Sequence, residues 1–177
     1  VAGGERMSTR DMLQVCLECV TGQKINMIVC HHPSKYGGAE ESSSRRNAAM
    51  EALRGLCDSL EIADLGVPVV AMGDFNDTPD GEQFSLLEGV LVNKADSLAD
   101  AGYGTIRYQG AWELIDMFLV SEELAPGSEM EILQIPFLMT YEKKYPGMKP
   151  LRTYSGPRYV GGVSDHCPVV LCIFGGY

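Results

Sequence analysis

The 177-residue chain has no run of about 18 apolar residues, so nothing in it reads as a membrane-spanning helix. Its first residues, VAGGERMSTRD, lack the apolar stretch of a signal peptide. The sequence starts with Val1 and enters a strand-like stretch almost at once, which reads as a start inside a domain and leaves an upstream export signal, and the compartment, open. There is no internal repeat and no low-complexity segment. Cys16-x-x-Cys19 has no second pair at zinc-finger spacing, and the 6 cysteines fall mostly inside apolar runs such as LQVCLECV and VVLCIF rather than in loops. Buried free thiols are therefore expected, not a disulfide framework. Histidine is scarce, with His31, His32 and His166 the only 3.

What is present fits one domain spanning residues 1–177, since 45% hydrophobic residues over this length can bury a real core. The net charge of -10 is uneven: residues 61–135 hold 2 basic and 15 acidic groups, whereas 136–177 hold 5 basic and 2 acidic ones. An evenly spread charge would repel a polyanion, but these flanks can meet a phosphate. Met12 to Val20 and Ile25 to His31 read as a hairpin turning at TGQK. A helix follows, with Ala49, Leu53, Leu56 and Leu60 on its apolar side and Arg45, Arg46, Glu51, Arg54 and Asp58 on its polar side. Val67 to Met72 is a strand covered on both faces. Thr78-Pro79 predicts the start of a second helix ending near Gly89, and Leu114 to Val120, Met130 to Ile135 and Val169 to Phe174 predict further strands. Thr140 to Tyr159 reads as a long surface loop. Strands alternating first with helices and then with loops predict an α/β or α+β sandwich.

Two clusters carry chemistry. Gly73-Asp74-Phe75-Asn76 stands where the apolar strand ends, and an extended backbone would project Asp74 and Asn76 to one side with Phe75 to the other. A carboxylate and a carboxamide in one small space suit hydrolysis at phosphorus, although Asp and Asn also make simple strand-ending turns. Ser164-Asp165-His166 brings an acceptor and a titratable imidazole to another strand entrance, where a capped turn is the alternative.

Together these clusters resemble the endonuclease/exonuclease/phosphatase (DNase I-like) superfamily, in a bacterial-type form. Other segments agree: TRDML contains Arg10, CHHPSKYGG with SSSRRNAA is similar to the bacterial pattern N-H-W-P-S-R-x-G-G with a downstream Ser and Arg, and WELIDMFLVS carries Asp116. RTYSGPRYVGGVSDHCPV resembles the closing motif. The resemblance implies the C-terminal part of a four-layer α/β sandwich with mixed or antiparallel sheets, the N-terminal half being absent. It also implies roles. Asp74 would position or deprotonate water with Asn76, and Asp165 with Asp74 would hold Mg2+, with Mn2+ as the alternative. His166 would bind a phosphate oxygen while oriented by Asp116, and His31 would lie near the phosphate. Arg10 and Ser34 would contact substrate; Arg46 fits a solvated helix face as well as phosphate binding, and Asp116 fits a buried aspartate satisfied by backbone.

Two departures are visible. Cys30 and His32 replace the pattern's Asn and Trp, and no acid near the start, Glu5 and Glu18 included, stands in the context of the family's upstream metal-binding Glu. The implied activity is Mg2+-dependent hydrolysis of a phosphodiester or phosphomonoester, nuclease-like, with nucleic acid among the candidate substrates. A non-catalytic binding module of the same fold and a phospholipid or inositol-phosphate phosphatase are the alternatives. The isolated chain is expected to fold but to be nearly inactive, and to pair as a homodimer over an uncovered apolar face.

Overall fold

A computed structural model describes residues 10–35 and 38–174, with the side chains of 39–41 left aside. Glu5, Tyr36 and Gly37 thus lie outside the described residues. The elements in chain order are β1 (Leu13–Glu18), β2 (Lys24–His31), α1 (Ala39–Ala63), β3 (Val69–Asp74), β4 (Val92–Asn93) and α2 (Asp96–Asp100). They continue with β5 (Ile106–Tyr108), β6 (Ala111–Glu113), β7 (Asp116–Val120), β8 (Ser128–Ile132), β9 (Met139–Glu142), β10 (Gly147–Pro150), β11 (Tyr154–Ser155), β12 (Arg158–Tyr159) and β13 (Val169–Ile173).

The central sheet has the order β1-β2-β3-β7-β4, with β2 and β3 parallel and the other pairs antiparallel. A parallel pair needs a long crossover, and α1 supplies it. The helix presents Ala49, Met50, Leu53, Cys57 and Leu60 to the sheet, all buried, at the three- and four-residue spacing that lines one helical face. Opposite them lie Ile28, Cys30, Ala71, Met117 and Leu119, one alternating set of strand positions. The other sheet face carries Ile25, Met27, Val70 and Phe118, against which Val169, Leu171 and Ile173 of the β8–β13 pair are set. A mixed five-stranded sheet with four two-stranded ones and a helix thus gives the α/β (α+β) class that the residue pattern predicts. On that same face Leu13, Val15, Leu17 and Val29 stay exposed.

Several local expectations are corrected. The segment after Pro79 is not an α-helix: only a 3-10 turn forms at Glu82–Leu87, because the Asp77 carboxylate, not Thr78, accepts the local N–H of Thr78 (3.0 Å) and the Gln83 amide (2.8 Å) and pulls the chain into a turn. Residues 140–159 are not a loop but two hairpins, β9–β10 and β11–β12. Gly147, at φ 146°, permits the return strand that its composition seemed to forbid. Cys30, Cys57 and Cys167 are buried free thiols, the first two pushed up by burial to about 12 and about 11, but Cys16 and Cys19 are exposed on and just after the outer strand β1.

Arg46 is the clearest correction, being buried rather than solvated. Its Nε lies 3.2 Å from Asp77 Oδ2, an ion-pair distance without hydrogen-bond alignment, and its Nη1 donates to Ser42 Oγ at 3.1 Å. Lys35 meets the other Asp77 oxygen at 2.7 Å. Burial pushes the Asp77 carboxyl up, but Lys35 and Gln83 outweigh it, so the group sits below its ordinary value of 3.8. Removing one member of a buried pair leaves an uncompensated charge. Arg46→Ala is therefore expected to cost about 3 kcal/mol in denaturant unfolding, against at most about 0.5 kcal/mol for Asp58→Ala in its exposed pair with Arg54. Because the folded Asp77 pKa is depressed, the stability given by its Lys35 and Gln83 partners is present above the ordinary carboxyl range and fades as pH falls through the folded value.

Candidate active site

The strand register assembles the site. His31 pairs with Asp74 across β2 and β3, and Asp74 pairs with Asp116 across β3 and β7, so three residues spread over more than 80 positions share one rung. Directly opposed residues point to the same side of a sheet. His31 Nε2 lies 3.5 Å from Asp74 Oδ2. The fourth member comes from another strand system: Ile106 makes an isolated bridge with His166, and Cys167 N–H donates to the Thr105 carbonyl at 2.7 Å. His166 Nδ1 then lies 2.7 Å from Asp116 Oδ2. Asp74, Asp116 and His166 offer two carboxylate oxygens and an imidazole nitrogen within 4.8 Å of one another.

Electrostatics follow from that packing. Burial pushes the Asp74 carboxyl above its ordinary value; the Asn76 N–H, donating to Oδ1 at 2.8 Å, works against this, and Asp116 adds to it. The hydrogen bond to Asp116 raises the His166 pKa, and burial only partly offsets it. Thr105, fully buried, accepts the N–H groups of Ile115 and Asp116 at 3.3 Å each and so fixes the carboxylate that orients the imidazole.

The remaining expected residues fall as follows. Asn76 is near, but not by the extended geometry: β3 ends at Asp74 and Asn76 adopts φ 53°. Its side-chain amide donates to the His32 carbonyl at 2.9 Å. Phe75 is buried, as the alternation predicts. The Arg10 guanidinium, exposed, donates to the same His32 carbonyl at 3.0 Å. Ser34 is exposed on the loop after β2. Asp165 is not one of the clustered three; its Oδ2 accepts from Arg152 Nη2 at 2.6 Å. The Ser164 hydroxyl accepts the His166 N–H at 3.1 Å, so the capped-turn reading of this tripeptide holds together with its placement in the site.

Sequence reasoning missed Thr105, Asp77, Gln83 and Arg152. Asp77 directly follows Asn76 and was legible as an acid beside the motif, and Arg152 opens the RTYSG stretch of the closing motif, whereas Thr105 stands in a segment without a local signal. His32, where the bacterial pattern has Trp, is buried edge-on to Phe75 with ring centroids 4.9 Å apart. Burial lowers it to about 4 and neither ring nitrogen has a partner, so it serves as a neutral aromatic ring in the floor.

The fold is that of a DNase I-like protein. The profile of the Endonuclease/Exonuclease/phosphatase family matches residues 2–174, and the chain belongs to that family, whose members are metal-dependent phosphoester hydrolases. No curated protein matches. Among solved structures it is similar to the mannosyl-6-phosphatase Bt3783 of Bacteroides thetaiotaomicron, at 17% identity and TM-score 0.56 over 88% of this chain and 54% of that one. Beta toxin from Staphylococcus aureus (F277A, P278A mutant) with bound magnesium ions is 17% identical, with TM-score 0.56 over 93% of this chain and 57% of that one. Truncated Caenorhabditis elegans TDP2 is 15% identical, with TM-score 0.61 over 93% and 61%. The chain thus spans somewhat over half the length of the solved structures it matches. No helix among the described residues is long and apolar enough to cross a membrane.

Proposed function

We propose that this chain carries the water-activating and phosphate-binding side of a nuclease-like phosphoesterase. One observation carries the reading: an imidazole held by a carboxylate at 2.7 Å faces a second carboxylate whose pKa burial has raised. Asp74 accepts a proton from the attacking water and the Asn76 amide oxygen orients that water. His166, engaged at Nδ1 by Asp116, presents Nε2 to a non-bridging phosphate oxygen, where its charge opposes the charge that develops. His31, beside Asp74, lies near the phosphate on the leaving-group side. Arg10 and Ser34 approach the substrate from the edge.

The Asp74 and Asp116 carboxylates, with oxygens within 4.8 Å of one another, suit a divalent cation, while His166 stays with the phosphate. Asp74 would hold the cation, and Asp165 would join it on release from Arg152. When bound, Mg2+ or Mn2+ supplies positive charge against the phosphoryl oxygens. The acidic middle of the chain favours a short contact or a small phosphoester over a tightly wrapped duplex. The exposed Leu13, Val15 and Leu17 support the pairing of two copies of the chain.

Hydrolysis of bis-p-nitrophenyl phosphate, with and without Mg2+, tests this in the natural full-length protein. Absence of any metal-dependent turnover would leave the non-catalytic scaffold standing. The pH profile supplies a sharper check. A raised His166 pKa keeps the imidazole charged above its ordinary 6.5, so turnover should fall as pH rises through the raised value. Asp116→Asn removes the main cause, and the alkaline limb is expected to move to lower pH. Stability has the same sign, present in full below pH 6.5 and lost as pH rises through the folded value.

A further inference from the structure

We infer that the cavity between the β5–β6 and β9–β10 hairpins is a subsite for a second anionic group, a phosphate or carboxylate on the part of the substrate that does not react. This rests on the phosphoesterase reading. The cavity holds about 360 Å³, and its charged lining is Arg107, Lys144, Lys149 and Arg152 against Glu142 and Asp165. Two positive charges are in excess there, in a chain whose net charge is -10.

The cations are not equivalent. Arg107 is a fixed wall: its guanidinium donates to the Tyr145 and Pro146 carbonyls at 3.0 and 3.2 Å, and its side chain is 9% exposed. It lies so close over Gly147 that a Cβ there would meet Nη2 at 2.8 Å. Arg107 therefore holds the two hairpins together and contributes field rather than new bonds. Lys149 and Arg152 each hold one carboxylate, Glu142 at 2.8 Å and Asp165 at 2.6 Å. An ammonium has three donors and a guanidinium five, so both keep donors for a ligand. Lys144 makes no carboxylate pair among the described residues and sits over the Tyr145 ring, 5.1 Å from its centroid.

Position ties the cavity to the reaction centre. Ile106 and Asp165 both line it; the first bridges to His166 and the second precedes His166 in the chain. The cavity thus borders His166 both along the chain and across a backbone bridge. The volume is at the low end of small-ligand sites, enough for a charged group on a few carbons. An anion entering at Arg152 competes with Asp165 for the guanidinium.

Phenyl phosphate and 1,4-phenylene bisphosphate, which differ by the second phosphate, are the probes, with 4-carboxyphenyl phosphate to tell carboxylate from phosphate. Calorimetric affinity and turnover are read on the natural full-length protein, on Lys144→Ala and on Lys149→Gln, with melting temperature alongside. The bisphosphate or the carboxyphenyl ester is expected to bind about tenfold more tightly than phenyl phosphate. Each substitution should remove most of that preference through Kd and KM, leaving phenyl phosphate within about twofold. Equal affinity for all three probes, or a preference that survives both substitutions, overturns the subsite. A preference without turnover of any probe supports the subsite and overturns the phosphoesterase reading instead.

Discussion

Asp74→Ala, or His166→Ala, is expected to lower turnover of the whole domain at least about a hundredfold, equivalent to about 2.7 kcal/mol of transition-state stabilisation. The two differ in what they do to the folded state. Asp74 is kept charged against burial, so replacing it relieves a desolvation penalty and should leave the melting temperature unchanged or higher. Removing the imidazole instead strips Asp116 of its side-chain partner, a loss of about 1–3 kcal/mol for a half-buried acceptor. Rate and melting temperature measured on the same samples separate these outcomes. A variant at position 74 that unfolds rather than stalls would assign that carboxylate a structural role.

Gly73→Ala is the second large effect. Gly73 sits in the middle of the rung system, paired with Cys30 on one side and Met117 on the other, at φ 137°. A Cβ built there overlaps the Cys30 carbonyl, a backbone atom that cannot swing aside. Strain of this kind costs about 1–3 kcal/mol and overpacking a further 1–3 kcal/mol, so a loss of at least about 3 kcal/mol is expected. The shift needed to relieve it moves β2 against β3, and His31 with Asp74 at their ends. Activity should therefore fall further than the folded fraction does. Gly55→Ala, in α1 with nothing within 4 Å of the added carbon, is the contrast. There the same substitution is expected to stabilise the protein by about 0.5–1 kcal/mol. Chemical denaturation of both variants decides whether position or residue type governs the outcome.

Much of the fold was legible because its signals are local. The apolar set of α1 follows from helical spacing, and the strand-end motifs from apolar runs that stop at polar residues. The errors share one cause. Arg46 stands on what a helical wheel alone makes a polar face, and only a carboxylate 31 positions away, on the turn after β3, makes its burial tolerable. The β9–β10 hairpin lacks an alternating pattern because one of its supports is Arg107 from another hairpin. Local composition cannot report a partner that the chain supplies later.

By itself the sequence determined which chemical groups exist and at which strand ends they stand: His31, Asp74, Asn76, Asp116, Asp165 and His166. Their types already restrict the chemistry to proton transfer, cation binding and the neutralisation of an anion. Tertiary structure alone decided the rest. The register that sets His31, Asp74 and Asp116 on one rung depends on pairing between strands far apart in the chain, and a slip of one residue would turn each side chain to the opposite face. It also decided that Asp165 turns to Arg152, while Asp116 meets His166 as the resemblance implied. The energy of a charge is set by the solvent it loses and the partner it gains, and both are properties of the packed molecule rather than of neighbours in sequence.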